Sequence, residues 1–274
     1  MRKLFVSLLL SFVAVLPLQA EMPVPDKPVL RMATTTSTDN SGLLKAILPK
    51  FQEKTGYEVQ VIAVGTGKAL KMGESGDVDV ILVHARSAEE AFVAAGHGPE
   101  RHDVMYNDFV FVGPASDPAE IRGLKRAALA LTKISRAKAM FVSRGDNSGT
   151  HKKEKQLWAD GGNQPEGMWY REVGQGMGKV LQIAGQLDAY TMTDRGTWLA
   201  YKDKSRLKVV LEGDETLFNP YGIIAVSQEK YPDTNRQGAQ ALIEWMTSKE
   251  GQQLIGDFKI NGQQLFIPNA LSAE

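Results

Sequence analysis

The sequence predicts an α/β fold with largely parallel sheets. Two observations predict it. Strand-like and helix-like runs alternate from residue 29 to residue 258, as strand–helix–strand units do. Three short turns crowded with hydroxyl side chains and glycine each sit where a strand-like run gives way to a helix-like one. They are Thr34-Thr35-Thr36-Ser37, Val64-Gly65-Thr66-Gly67 and Ser143-Arg144-Gly145-Asp146-Asn147-Ser148-Gly149-Thr150. Such positions are the carboxyl ends of strands, where open α/β sheets take their ligands.

The elements follow in order. Residues 29–33 read as a short strand after a polar, proline-containing leader. Leu44, Ile47, Leu48 and Phe51 recur at helical spacing and Gly56 stops the run, with Pro49 expected to kink the helix or start a second segment. A weakly alternating strand is expected over 58–63, a short helix over 67–76 and a buried strand over 78–83. A helix over 87–95 carries the signature of a capping box, Ser87 with Glu90 three residues on. Strands are expected over 108–113, 139–142, 170–173, 189–193, 207–211 and 222–226, and helices over 119–134, 150–158, 177–187, 235–247 and 251–258. Gly161-Gly162-Asn163-Gln164-Pro165 is a surface loop.

The chain opens Met1-Arg2-Lys3, an apolar run over 4–18 and Gln19-Ala20-Glu21. A basic start, a short apolar core and a small residue at a polar junction spell a secretory signal peptide over 1–20. The apolar run is short of the roughly 20 residues that a membrane span needs. Removing Arg2 and Lys3 from the 32 basic residues leaves them two short of the 32 acidic ones. No basic face for nucleic acid follows from that balance. There is no cysteine, hence no disulfide and no lipid-bearing cysteine at the signal junction. These features fit a soluble periplasmic protein.

Thr34 to Thr38 is five hydroxyl residues in succession. One or two would satisfy a helix N-cap, so the excess points to an anion-binding turn. Val64-Gly65-Thr66-Gly67-Lys68 hints at a phosphate loop but lacks the first glycine and the hydroxyl after lysine, Ile62 and Ala69 standing there. Its glycines still permit close backbone approach. In the third turn Arg144 offers a planar positive fork, and Ser148, Gly149 and Thr150 offer N–H and O–H donors at the start of a helix. Thr191 to Thr197 is a further hydroxyl-rich strand end, with Thr193 a candidate contact. The four histidines, His84, His97, His102 and His151, have no metal-ligand spacing. Ser148 lacks a nucleophile elbow, and the polar groups of the turns are donors rather than bases. Such a cage binds a small oxyanion without cleaving bonds, and needs neither metal nor cofactor.

The segments at 34–37, 64–67, 143–150 and 190–197 together resemble the tungstate-binding proteins of bacterial tungstate ABC importers, in order and spacing along essentially the whole exported chain. The resemblance implies a type II periplasmic binding-protein fold: two α/β lobes joined by two crossing segments, with the oxyanion in the cleft. The crossings are expected near Gly113-Pro114 and near 218–221, giving lobe one 29–113 plus 221–274 and lobe two 114–220. The implied ligand residues are Thr35, Thr36, Ser37, Thr66 and Gly67 from lobe one, with Ser143, Arg144, Ser148, Gly149, Thr150 and Thr193 from lobe two. The implied partners are tungstate or molybdate and an inner-membrane ABC permease, for a monomeric protein. Arg144-x-Asp146-x-Ser148-Gly149-Thr150 is also similar to phosphate-binding proteins, so phosphate is an alternative ligand; a periplasmic phosphate-ester hydrolase is the alternative from another class. Asp146 decides between the anions. Facing the ligand, it favours a protonated one; tied to Arg144, which is the expectation here, it does not.

Overall fold

The computed structural model describes residues 25–146 and 148–270, so the signal peptide read at 1–20 lies outside the described residues. β1 (Val29–Thr35) runs straight into a five-residue helix, α1 (Thr36–Asn40). Gly42 and Gly56, at φ +82° and +74°, bracket α2 (Leu43–Thr55), and the Gly56 N–H closes it on the Gln52 carbonyl. Pro49 lies inside α2 without dividing it. Its ring is on the exposed side, where water satisfies the carbonyl that proline leaves unbonded.

The alternation continues through β2 (Glu58–Val64), α3 (Thr66–Glu74), β3 (Val80–Val83) and α4 (Arg86–Ala94). The expected capping box does not form. Ser87 is inside α4, whose N-cap is Ala85. The carboxylate that accepts the Ala85 N–H belongs to Glu89, held in the interior by Arg101, while Glu90 pairs with Arg86 on the surface. β4 (His102–Gly113) follows. The helix expected over 119–134 starts only at Ala127, as α5 (Ala127–Ala137). Asp117, Glu120 and Gly123 all have positive φ, and the Asp117 carboxylate accepts the Ile121 and Arg122 N–H groups, so that stretch folds as turns.

Then come β5 (Phe141–Ser143), α6 (Gly149–Asp160), β6 (Tyr170–Glu172), α7 (Met177–Gln186), β7 (Thr191–Asp194) and α8 (Arg195–Tyr201). β8 (Lys208–Leu211), β9 (Phe218–Ala225), α9 (Arg236–Thr247) and α10 (Lys249–Asp257) complete the main body. Three two-residue strands, β10 (Lys259–Ile260), β11 (Gln263–Gln264) and β12 (Ile267–Pro268), end it. α1 and these last strands have no counterpart in the periodicity of the sequence.

β4 and β9 organise the sheets. Residues 102–108 of β4 pair with β9, and residues 109–113 pair with β7 and β8. The change of partner falls between Asp108 and Phe109, upstream of Gly113-Pro114. The first half orders β12-β4-β9-β3-β1-β2; the second half carries β7 and β8 on β4, with the β5–β6 pair attached through a Phe141–Tyr190 bridge. The sheets are mixed rather than largely parallel. β1 pairs in parallel with β2 and β3, and β5 with β6, but β4 and β9 are antiparallel to every strand they meet. A chain that leaves one sheet to build another and returns must lay its outgoing and returning strands side by side in opposite directions.

Alternate residues of each central strand enter opposite cores. Val80 and Leu82 pack with Phe51, Leu44 and Trp245, whereas Ile81 and Val83 pack with Phe92 and Leu70. Past the switch in β4, Phe109 and Phe111 join Trp158 and Phe141, while Val110 and Val112 join Leu181 and Trp198. Each sheet is thus covered on both faces, which leaves its strand ends for chemistry.

Candidate functional site

Strand register sets which ends face each other. Val83 pairs with Gly222 and Asp108 with Phe218, so β3 runs toward the start of β9, where β4 changes sheets. β1 and β2 are parallel to β3 and run the same way. From the other half, β7 runs toward the same point, with Asp194 opposite Phe109. β5 lies parallel to β7 through the Phe141–Tyr190 bridge, and β6 lies parallel to β5. The carboxyl ends at Thr35, Val64 and Val83 form one rim, and those at Ser143, Glu172 and Asp194 form a second rim that confronts it. All three hydroxyl-rich turns lie on these rims.

The first rim is a closed hydroxyl network. Thr35 is the N-cap of α1, its Oγ1 accepting from the Thr38 N–H at 3.2 Å and lying 2.6 Å from Thr38 Oγ1 and 3.1 Å from Ser37 Oγ. His84, the residue after β3, brings Nε2 within 3.1 Å of Thr35 Oγ1 and 3.4 Å of Ser37 Oγ. Thr34 is structural, its hydroxyl donating to the Leu82 carbonyl across the sheet. Thr36 and Ser37 are exposed on the short helix, Thr66 is half-buried and Gly67 is exposed. A Cβ added to Gly65, Gly67 or Gly149 would meet nothing within 4 Å, so the first turns of α3 and α6 border open space.

The second rim is built from charge. Arg144 donates from Nε and Nη2 to Asp146 Oδ2 at 3.0 and 2.6 Å, and Asp146 Oδ1 accepts the Ser148 N–H at 3.1 Å. Asp146 is therefore occupied with its own loop. Burial alone would raise its pKa, but the Ser148 and Arg144 hydrogen bonds outweigh burial and lower it. Ser148 caps α6 by accepting the His151 N–H, and Thr150 is buried in the first turn. Ser143 is wholly buried at the end of β5, and its hydroxyl has no hydrogen-bond partner among the described residues. Thr193 is wholly buried too, and its hydroxyl donates to the Asp194 carbonyl. Of the candidates, Thr35, Thr36, Ser37, Thr66 and Gly67 lie on one rim and Arg144, Ser148, Gly149 and Thr150 on the other. Ser143 and Thr193 lie at the carboxyl ends of β5 and β7, on the second rim as well.

Several further residues shape the rims. His84 is held by Asn219, whose Oδ1 is 3.2 Å from Nδ1, and by the Tyr221 ring at 4.7 Å between centroids. Burial lowers the His84 pKa, against the opposing pull of Asn219 and the Asp194 charge. Asp194 caps α8 through Thr197, and its charge acts on both His84 and Tyr221 of the other half, so the two rims are in electrostatic contact. Glu154, buried in α6, accepts from Tyr170 and Trp158 at 2.9 and 3.2 Å. Burial pushes its carboxyl up to about 7, with the Glu172 charge adding to the rise and the Tyr170 and Trp158 hydrogen bonds opposing it. Arg195 forks onto Asp108 with two 2.6 Å bonds at the sheet switch and also reaches Glu212. Among the described residues no group of His, Asp and Glu is arranged to hold a metal ion. A hollow of about 950 Å³ lies at the Met140, Met168 and Trp169 end of β5, away from Ser143, so size alone does not mark the site.

A PBP superfamily domain model matches residues 24–250. A tungstate-binding protein, TupA, of Peptoclostridium acidaminophilum is 51% identical over 243 residues, covering 87% of this chain and 85% of the relative. The chain belongs to the TupA family of the PBP superfamily. TupA of Campylobacter jejuni is 42% identical, over 85% of this chain and 88% of that one. The solved structure of the tungstate-binding TupA from Desulfovibrio alaskensis G20 superposes with a TM-score of 0.84 at 51% identity, covering 89% of this chain and 99% of that chain. These family members are named as tungstate-binding proteins, and the family's fold is the mixed α/β arrangement described above.

Proposed function

We propose that this chain is an exported solute-binding protein that captures tungstate and presents it to the inner-membrane permease of an ABC importer. The observation that carries this reading is the register that turns the carboxyl ends of two separate sheets toward each other, with hydroxyl and N–H donors on both. Family membership supports tungstate as the guest. Thr35, Thr36, Ser37, Thr66 and Gly67 would grip it from one lobe, and Ser143, Arg144, Ser148, Gly149, Thr150 and Thr193 from the other. Capture shifts the lobes from open to closed, and the permease reads the closed form. The lobes divide where β4 changes sheets, at Asp108 and Phe109, and again between β8 and β9. The protein works as a periplasmic monomer, without cofactor and without bond-breaking chemistry.

The anion preference follows from donors. Tungstate and molybdate accept hydrogen bonds and donate none, whereas hydrogen phosphate needs an acceptor. The carboxylate in this loop that could serve, Asp146, is already engaged by Arg144 and Ser148. A ligand panel tests the reading. Melting is followed with sodium tungstate, molybdate, sulfate and phosphate in turn, beside an assay with a chromogenic phosphate ester. Tungstate is expected to raise Tm most, since a ligand at 1,000 times its Kd adds about 4 kcal/mol of stability. A shift with phosphate alone would reassign the guest, and ester turnover would favour the hydrolase.

A further inference from the structure

We propose that His84 is a positioning residue that directs the hydroxyl protons of the Thr35–Ser37 turn and takes up a proton when an anion is captured there. The inference rests on the capture reading above and adds to it a proton-linked switch on the first rim.

The argument begins with a buried amide relay. Asn219 Nδ2 donates to Asn107 Oδ1 at 2.8 Å, and this turns Asn219 Oδ1 to His84 Nδ1. A carbonyl oxygen only accepts, so Nδ1 carries the proton. In a neutral ring Nε2 is then bare. It accepts from the hydroxyls at 3.1 and 3.4 Å, those of Thr35 and Ser37. Thr35 Oγ1 already accepts the Thr38 N–H and lies against Thr38 Oγ1. Its single proton goes to the ring, and none is left for a guest. The empty turn is therefore arranged to accept as much as to donate, which is the wrong polarity for a dianion.

Protonating Nε2 reverses the relay. Its N–H donates to Thr35 Oγ1, the Thr35 proton is released toward the guest, and the rim gains a positive charge. The surroundings weigh against this in the empty protein. His84 is packed by Tyr221 and Asn219 of β9 and by Thr35 and Ser37 beside α1, all neutral, and burial disfavours the cation. The charged group that acts on the ring is Asp194, at the end of β7 on the opposite rim. A doubly negative guest arriving between the rims adds to that pull and tips the ring to its charged form. By linkage, affinity then rises as pH falls through the interval between the pKa values of the free and the bound protein.

Isothermal titration of sodium tungstate into the full exported chain tests this. Buffers of different ionisation enthalpy report the protons taken up, and Kd is followed from pH 6.5 to 8.5. The expected result for the parent is net proton uptake and an affinity that weakens up to tenfold per pH unit as pH rises. His84→Gln keeps a hydrogen-bonding group toward Thr35 that does not titrate; it should bind with a flat pH profile and no uptake at this site. Glu154→Gln removes a buried carboxyl of the second half and should leave the uptake in place. Equal proton uptake by the parent and His84→Gln overturns the proposal, as does tight binding by the parent with no uptake. Failure of the parent to bind any anion in the panel removes the capture reading itself. Should His84→Gln not fold, ¹⁵N shifts of the His84 ring in the unaltered protein decide. A proton on Nδ1 alone when free and on both nitrogens when loaded supports the proposal; an unchanged tautomer defeats it.

Discussion

The two rims hold the same kind of turn by opposite means. On the first, Thr35, Ser37 and Thr38 are tied to His84, which is tied to Asn219 and Asn107, with the Tyr221 ring packed on the imidazole. Every member is neutral in the empty protein. On the second, Arg144, Asp146, Glu172 and Asp194 carry formal charge, and the arginine is matched by its own aspartate. The difference teaches where the attraction for a dianion comes from. The Arg144–Asp146 pair has little net charge, so the guanidinium serves as an oriented fork more than as a counter-ion. The rest must come from aligned dipoles, the N–H groups of α3 and α6 and the hydroxyls of the first rim.

Removing one member from each rim sharpens this contrast. The largest effect is expected for Arg144→Ala, which leaves Asp146 uncompensated beside a dianion. Tungstate affinity by titration calorimetry should fall by about 2 kcal/mol, roughly thirtyfold, on the scale of one charge-assisted hydrogen bond lost. An unchanged Kd would mean that the charged rim takes no part.

Glu154→Gln probes the buried face of α6, which starts on that rim, through pH. The Glu154 carboxyl is raised from 4.5 to about 7, so the folded protein holds a proton there that the unfolded chain has lost. Folding stability from this group is complete below the ordinary carboxylate pKa and falls away as pH rises toward 7 and just beyond. The substitution should flatten this fall and stabilise the protein above pH 7.5 by on the order of 2 kcal/mol. Urea melts at pH 5 and pH 8 check it, and parallel slopes for the two proteins would refute it.

On the neutral rim, Thr35→Val deletes the N-cap of α1 and the link to His84 at once. About 1–2 kcal/mol of tungstate affinity should go, on the scale of one cap or one buried hydrogen bond. The smallest change is expected from Asp146→Asn, which keeps an acceptor for Arg144 and Ser148. Tungstate Kd should move by less than about fivefold on the scale of a hydrogen bond exchanged for a similar one, with no new phosphate binding. A gain or loss confined to phosphate would instead put Asp146 in contact with the guest.

The turns could be read from sequence because their chemistry is local. Thr34 to Thr38 is excessive for a cap, and Arg144 to Thr150 joins a fork to small donors in one stretch. Strand and helix positions were readable for the same reason, since burial imposes period 2 or 3.6 on each segment separately. The errors came where distant residues compete. Glu89 displaced Glu90 from the α4 N-terminus because Arg101 holds it inside. The Tyr190 hydroxyl, accepting the Ala119 N–H and donating to Asp117, helped divert a helical pattern into turns.

By itself, the chain order determined an α/β molecule, its strand-end turns and the donor chemistry placed on them, because each depends on neighbours a few residues apart. Which ends confront each other was decided only by the tertiary structure. β4 changes partners at Asp108 and β9 returns antiparallel beside it, and the pairing of residues more than a hundred positions apart leaves no periodic trace in either strand. His84 entered the site by the same route. A lone histidine after a buried strand says nothing until Thr35, Asn219 and Tyr221 are folded around it, since the proton it carries is chosen by the groups it meets.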